Sequence, residues 1–455
     1  MIIAIVFCFI IGYLAIAFEH KLKLDKTVPA LLMGAICWSL IALGHLDVID
    51  HAGGVVSAHG AAGAEYTDGL LGVLLHHVGK IAEILLFLLG AMTIVELVDL
   101  HQGFSVITNR ITTNNKRQML IIVSMLAFFL SAVLDNLTTT IVMISLVRRL
   151  VSDQKDRLWF ASMIIIAANA GGAWSPIGDV TTTMLWIGKK ISTVELMQNL
   201  FLPSIICLLV PVAIVMLRKE FKGNFITPGL AEGEKRAKEG LLSSRAMLIA
   251  GLGALIFVPI FKSVTHLPPY LGMMLGLGIT WLVSEYIHPE ENFSEERKQK
   301  YTARHALSRI ELSSILFFAG ILLTIAALES IAVPFDGITI GFLHQVAEHL
   351  TVAVPNQDIV IILIGMLSAI VDNVPLVAAT MGMYADPLDA KLWHFIAYSA
   401  GTGGSILIIG SAAGVAAMGL ERIDFIWYLK HIAWIAFLGF IAGAVMFIFW
   451  YNLLH

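Results

Sequence analysis

Long apolar runs separated by short polar stretches make up most of the chain. Runs near residues 2–18, 28–44, 80–100, 195–217, 246–262, 269–287, 310–333 and 425–450 each suit one helical crossing of a bilayer, which takes about 20 residues. Four other runs do not fit that rule. Residues 118–147 are apolar for about 30 residues between Lys116-Arg117 and Arg148-Arg149, too many for one crossing and too few for two. Basic flanks at both ends argue that both ends lie on the cytoplasmic side. The pattern predicts a re-entrant hairpin of two half-length helices with Asp135-Asn136 near its tip. Residues 359–385 repeat the pattern between acidic flanks, with Asp358 before and Asp386 and Asp389 after, which predicts a hairpin opening to the opposite side. Residues 158–187 and 391–419 are crossings interrupted by glycine: Gly171-Gly-Ala-Trp-Ser-Pro176-Ile-Gly178 in one, Gly401-Thr-Gly403-Gly404-Ser405 and Gly410-Ser411 in the other.

The two halves correspond. Leu130-Ser131-Ala-Val-Leu-Asp135-Asn136 matches Leu367-Ser368-Ala-Ile-Val-Asp372-Asn373, and the segment from Ala170 to Gly178 matches that from Thr402 to Gly410. Each half holds five crossings and a hairpin, and an odd number of crossings turns the second half upside down. The predicted fold is an all-α polytopic membrane protein of two inverted repeats, residues 1–217 and 246–455, joined by a charged cytoplasmic linker at 218–245. A second cytoplasmic segment is expected at 288–309, and Lys21 and Lys23 put the N-terminus outside. Residues 1–18, apolar from the start and without a basic leader, read as a span. Interfacial segments are expected at 70–78, 104–111 and 340–350. Inverted repeats with broken helices meeting at the midplane mark secondary transporters.

Composition sharpens this picture. The chain is 58% hydrophobic and 14% charged, against about 25% charged in soluble domains. Its net charge of −4 offers no basic excess for nucleic acid. Cys8, Cys37 and Cys207 lie in apolar spans without paired spacing and read as packing residues.

A carboxylate at bilayer depth costs at least about 2.5–3.5 kcal/mol, so such a group needs a purpose. Asp135 and Asp372 sit at the hairpin tips, beside Asn136 and Asn373 as further oxygen ligands. Ser131 and Ser368 lie one turn earlier on the same face. Asn169 precedes the first helix break, and Asp179, Thr181 and Thr182 follow it. Ser405 and Ser411 lie at the second break, where Ser411 takes the place of Asp179. Each acid could merely cap a half-helix, since Asp and Asn are favoured N-caps. Carboxylate, amide, hydroxyl and freed backbone oxygens together suit a hard monovalent cation rather than a soft one. Glu83 and Glu96 read equally as functional acids and as snorkelling or surface-paired ones, and His76-His77 as loop histidines or a pH sensor.

These motifs resemble the NhaD-type Na⁺/H⁺ antiporters of the ion-transporter (arsenite permease-like) superfamily. The resemblance implies export of Na⁺ or Li⁺ in exchange for H⁺ across a bacterial inner membrane, no cofactor, a homodimer embedded in lipid, and an elevator-like motion of a part holding both hairpins. The departure is the missing counterpart of Asp179 in the second half. A carboxylate or oxyanion transporter on the same fold is the first rival; it should offer neutral amides and helix N-termini rather than three acids. An intramembrane aspartyl protease is disfavoured by Pro176 in its motif and by the redundant Asp372. A channel has no need of inverted repeats.

Overall fold

The computed structural model describes residues 1–17, 19–50, 54–57, 63–108, 111, 113–225, 241–287 and 301–455. The chain is almost entirely helical. Its main helices are α1 (Ile2–Ala17), α2 (Thr27–Leu43), α3 (Gly63–Leu100), α4 (Lys116–Ser131), α5 (Asn136–Leu150), α6 (Gln154–Gly172), α7 (Val180–Ile187), α8 (Thr193–Met216), α9 (Ser244–Thr265), α10 (Pro269–Tyr286), α11 (Ala303–Arg309), α12 (Leu312–Ser330), α13 (Phe342–Ala353), α14 (Gln357–Leu367), α15 (Asn373–Met383), α16 (Lys391–Gly403), α17 (Ala412–Glu421), α18 (Phe425–His431) and α19 (Ala433–Leu454). Two short antiparallel ribbons complete it: β1 (Val48–Ile49) with β2 (Val55–Val56), and β3 (Ala332–Phe335) with β4 (Ile338–Gly341). Among the described residues five helices are long and apolar enough to cross a membrane, and a sixth crossing results if α13 and α14, bent by 116°, count as one. The protein is a multi-pass helical membrane protein.

The chain divides into two compact units. Unit 1 comprises Met1–Leu86, Glu311–Val360 and Val374–Pro387. Its centre is the seam of α2 and α12, where small residues let the backbones approach. A Cβ on Gly34 would lie 3.0 Å from the Gly320 carbonyl oxygen. The Trp38 indole donates to the Leu323 carbonyl (2.9 Å) and the Thr27 hydroxyl to that of Ser313 (3.0 Å).

Unit 2 comprises Phe87–Ile310, Ile361–Asn373 and Leu388–His455, and contains both broken helices. The first break lies between α6 and α7, the second between α16 and α17. The two broken helices run antiparallel, as their end contacts show. Where α7 ends, the Lys190 carbonyl accepts from the Asp389 amide (3.0 Å), and the Ser192 amide donates to the Asp389 carboxylate (2.6 Å), just before α16 begins. Where α6 begins, Arg157 meets Glu421, the last residue of α17. Matching contacts fasten the helix arms of the tips. A side chain on Gly171 would overlap the Phe128 carbonyl, and one on Gly403 the Gly365 carbonyl.

Several sequence expectations change. Residues 70–78 are not a separate interfacial piece but belong to α3, which runs on for 38 residues. Only Gly79 stands between that stretch and the crossing, and one glycine does not stop a helix. His76 and His77 therefore lie within a helix, where the Ser330 hydroxyl meets His77 Nε2 (3.0 Å). The arm expected at 104–111 shrinks to one helical turn, Ser105–Thr108. The arm expected at 340–350 exists as α13, preceded by the β3–β4 ribbon, whose Asp336-Gly337 turn carries two positive φ angles. Glu96 is a surface pair: Arg309 bonds it at 2.7 Å and Asp99 at 3.2 Å. The centres of the two charged segments, residues 226–240 and 288–300, lie outside the described residues. The three cysteines are free thiols.

At the end of α3, the His101 ring is buried, with Nδ1 on the Ser243 hydroxyl (2.7 Å) and its face against Tyr301. The Ser244 hydroxyl donates to the His101 carbonyl (2.7 Å). Burial holds its pKa down at about 4, below the ordinary 6.5. A lowered histidine pKa means the unfolded chain takes up the proton first, so this contact's stabilisation is complete above pH 6.5 and is lost as pH falls from 6.5 towards 4. The unfolding temperature in detergent should fall over that window, and His101→Gln should flatten the fall; an unchanged slope in the variant would rule His101 out as its source.

Candidate functional site

The site forms where the interrupted helices start again. Asp179 is the N-cap of α7: its Oδ1 accepts from the Thr181 amide and the Thr181 hydroxyl, both at 2.8 Å. The carboxylate is almost wholly buried, at 2% exposure. Asn136, the first residue of α5, donates through Nδ2 to Asp179 Oδ2 (2.8 Å) and to Asn169 Oδ1 (3.0 Å). Asn373, the first residue of α15, donates to both Asp179 oxygens (3.3 Å each). Asn169 in turn donates to the Ser411 hydroxyl (3.0 Å), and Ser411 caps α17 through the Gly414 amide. Residues at the starts of four half-helices thus share one network, two from each half of the sequence. Helix starts carry free amides and partial positive charge, which steadies a carboxylate there.

The asparagines, expected as oxygen ligands of a cation, meet the Asp179 carboxylate here through their nitrogens. An ionised carboxylate can only accept, so an adjacent carboxamide must turn its NH₂ towards it. Together the Thr181 amide and hydroxyl, Asn136 and Asn373 supply donors to nearly every lone pair on Asp179. Each donor is neutral, and the described bonds to this carboxylate include no lysine or arginine.

The other expected residues fall into separate roles. Asp135 is half-buried and caps α5, with Oδ1 accepting from the Thr138 amide (2.6 Å) and Oδ2 from the Thr138 hydroxyl (2.7 Å). Asp372 is half-buried at the second tip. The Ser131 hydroxyl donates to the Ala168 carbonyl (2.6 Å) and that of Ser368 to the Ala400 carbonyl (2.8 Å), the same bond in each half. Thr182 donates to the Asp179 backbone carbonyl (2.9 Å), and Ser405 to that of Thr402 (2.6 Å). Thr138, which turns Asp135 into a closed ring of hydrogen bonds, was not singled out from the sequence. Its place two residues beyond Asn136 was the available signal, because a hydroxyl there can reach back to a capping acid. Among the described residues no cluster of three or more His, Cys, Asp or Glu forms a metal centre.

The family model described as "Citrate transporter" matches residues 6–394. Sodium/proton antiporter 1 of Arabidopsis thaliana is 45% identical over 455 residues, 99% of this chain and 73% of that protein. The Na⁺/H⁺ antiporter NhaD of Vibrio cholerae is 29% identical over 462 residues, 96% of this chain and 89% of that protein. Among solved structures, the Alcanivorax borkumensis YdaH transporter superposes with a TM-score of 0.56 over 94% of this chain and 97% of that one, at 11% identity, a likeness of fold alone. The matched relatives thus include plant and bacterial proteins. The chain belongs to the citrate transporter family, with the Na⁺/H⁺ antiporters of the NhaD type among its relatives.

Proposed function

We propose that this protein exchanges Na⁺ or Li⁺ for H⁺, with cation and proton competing for Asp179. The observation that carries this reading is a buried carboxylate whose described bonds all come from neutral amides and hydroxyls. A proton on Asp179 turns one oxygen into a donor, and a cation takes its lone pairs. One carboxamide, of Asn136 or Asn373, turns over to accept that proton, and in the cation-bound case both turn over and offer oxygen. Asn169 Oδ1 and the Thr181 hydroxyl complete an all-oxygen set suited to a hard ion. The unoccupied carboxylate carries a bare charge, and moving such a charge through the bilayer's apolar layer is costly, which disfavours reorientation of the empty carrier and so couples the two ions. Asp135 and Asp372, less enclosed, are the groups through which ions reach Asp179.

The antiparallel broken helices support the reading of two inverted repeats, each with a re-entrant hairpin, working by alternating access with an elevator-like motion in a homodimer. Since Ser411 and Gly401 stand where the first half has Asp179 and Asn169, one cation site per chain follows. In proteoliposomes, added Na⁺ or Li⁺ should drive protons outward across a pH series while K⁺ does not; no response to Na⁺ at any pH defeats the proposal. Carboxylate transport is the second reading, favoured by the four helix starts, and uptake of citrate or succinate would establish it. Asn373→Ala removes one donor from each Asp179 oxygen and one oxygen from the cation. It should cost about 1 kcal/mol, raising the Na⁺ concentration for half-maximal exchange about fivefold.

A further inference from the structure

Glu421 is buried, its side chain only 2% exposed, and both its oxygens are paired: Oε1 accepts from Arg148 Nε (2.6 Å) and Oε2 from Arg157 Nε (3.0 Å). Arg157 Nη1 also donates to the carbonyls of Val151 (3.3 Å) and Ser152 (2.7 Å), where α5 turns into α6. The three residues come from three elements: the last turn of α5, the first turn of α6 and the last residue of α17. Arg148 at a helix C-terminus suits the helix dipole, but Arg157 at a helix start opposes it. Its place there is accounted for by Glu421 and the two carbonyls. A buried carboxylate without such partners is strongly disfavoured, so the three charges stand or fall together.

The far ends of the same helices explain why this matters. Asn136 begins α5 and Ser411 caps α17, and both bond Asn169 at the cation site. α5 and α17 therefore run parallel, joined by carboxamides at their starts and by the Arg–Glu–Arg cluster at their ends. The ten residues of α17 separate the two fastenings by about 15 Å. We propose that Glu421 is a positioning residue: with Arg148 and Arg157 it clamps the first hairpin's return arm to the second broken helix, keeps Asn136 and Ser411 in register, and makes the two helices move as one piece. This rests on the Na⁺/H⁺ exchange reading above.

Two measurements test it. In Na⁺-driven proton movement, Glu421→Gln should raise the Na⁺ KM about tenfold with kcat within twofold of the parent. Arg148→Met should do much the same, and the double variant should be no worse than Glu421→Gln alone, because coupled partners are not additive. Independent, multiplying effects, or a fall in kcat with KM unchanged, overturn the clamp. In the second measurement, Arg148→Cys and Glu421→Cys are joined by a short bis-methanethiosulfonate. The joined protein should transport at no less than half the rate of the same unjoined variant. Arrest on joining would mean that the helices must part, which overturns the clamp in favour of a gate. If Glu421→Gln does not reach the membrane folded, Arg148→Met, whose arginine is half exposed, decides the matter by its KM-against-kcat split. Parent vesicles inert to Na⁺ would defeat the exchange reading instead; the same double-variant comparison, read on unfolding temperature, then judges the clamp.

Discussion

Asp179→Asn should abolish Na⁺-driven proton movement while leaving a folded protein in the membrane. Folding survives because Asn also caps helices well and can still accept from the Thr181 amide. The site does not survive. At about 3 Å and an effective dielectric near 20, a cation and a carboxylate attract by about 5 kcal/mol. Losing that reduces occupancy more than a thousandfold. The new carboxamide also has one acceptor oxygen to offer where the carboxylate had two. The NH₂ groups of Asn136 and Asn373 cannot both be served, and a buried donor left unserved costs about 1–3 kcal/mol. Proton flux in vesicles should fall below about 1% of the parent, with the protein's elution profile in detergent unchanged. Substantial residual exchange would move the assignment to Asp135 or Asp372.

Gly171→Ala should be among the most damaging of the small substitutions. The added methyl would sit on the Phe128 carbonyl, backbone against backbone, one turn before Ser131. Flexible side chains can give way; two helix backbones cannot do so without shifting the tip. Overpacking commonly costs about 1–3 kcal/mol, and a backbone collision belongs at or above the upper end. Gly403→Ala meets the Gly365 carbonyl and should behave alike. Gly253→Ala, with open space around it inside α9, is the control and should be neutral or slightly stabilising. The three variants would be compared by thermal unfolding in detergent. Equal unfolding temperatures for all three would show that the tips are not held against the helix breaks.

The parts of the site that could be read in the sequence were those that violate their surroundings. Asp135 and Asp372 stand out because ionisable groups are rare within apolar runs, and their repetition in Ser-Ala-x-x-Asp-Asn exposes the duplication. Asp179 stands out because it follows a glycine-rich break. What could not be read were relations between distant segments. Nothing local says that Asn136 turns its nitrogen to Asp179, a choice forced by a carboxylate 43 residues away. Nothing local says that the Ser131 and Ser368 hydroxyls reach carbonyls of the broken helices, at Ala168 and Ala400. Glu421 drew no reading of its own and Arg148-Arg149 read as flank charge, until the Arg148–Glu421 pairing joined positions 273 apart. Boundaries failed where polarity was taken for a break: His76-His77 and Lys80 interrupt hydropathy in α3 but not its backbone hydrogen bonding.

The uninterrupted course of α3 has a practical corollary. Its 38 residues make a rod about 57 Å long, against about 30 Å of acyl chain in an ordinary bilayer. Even leaning by about 40°, the steep end of the observed range, it projects roughly 14 Å past the oily layer. Some of its turns must therefore stand among phosphates or in water. A cysteine replacing Glu65 or Asp68, exposed in its first turns, should react with a membrane-impermeant maleimide added on one side of the membrane and not on the other; no reaction from either side would mean that this end is covered.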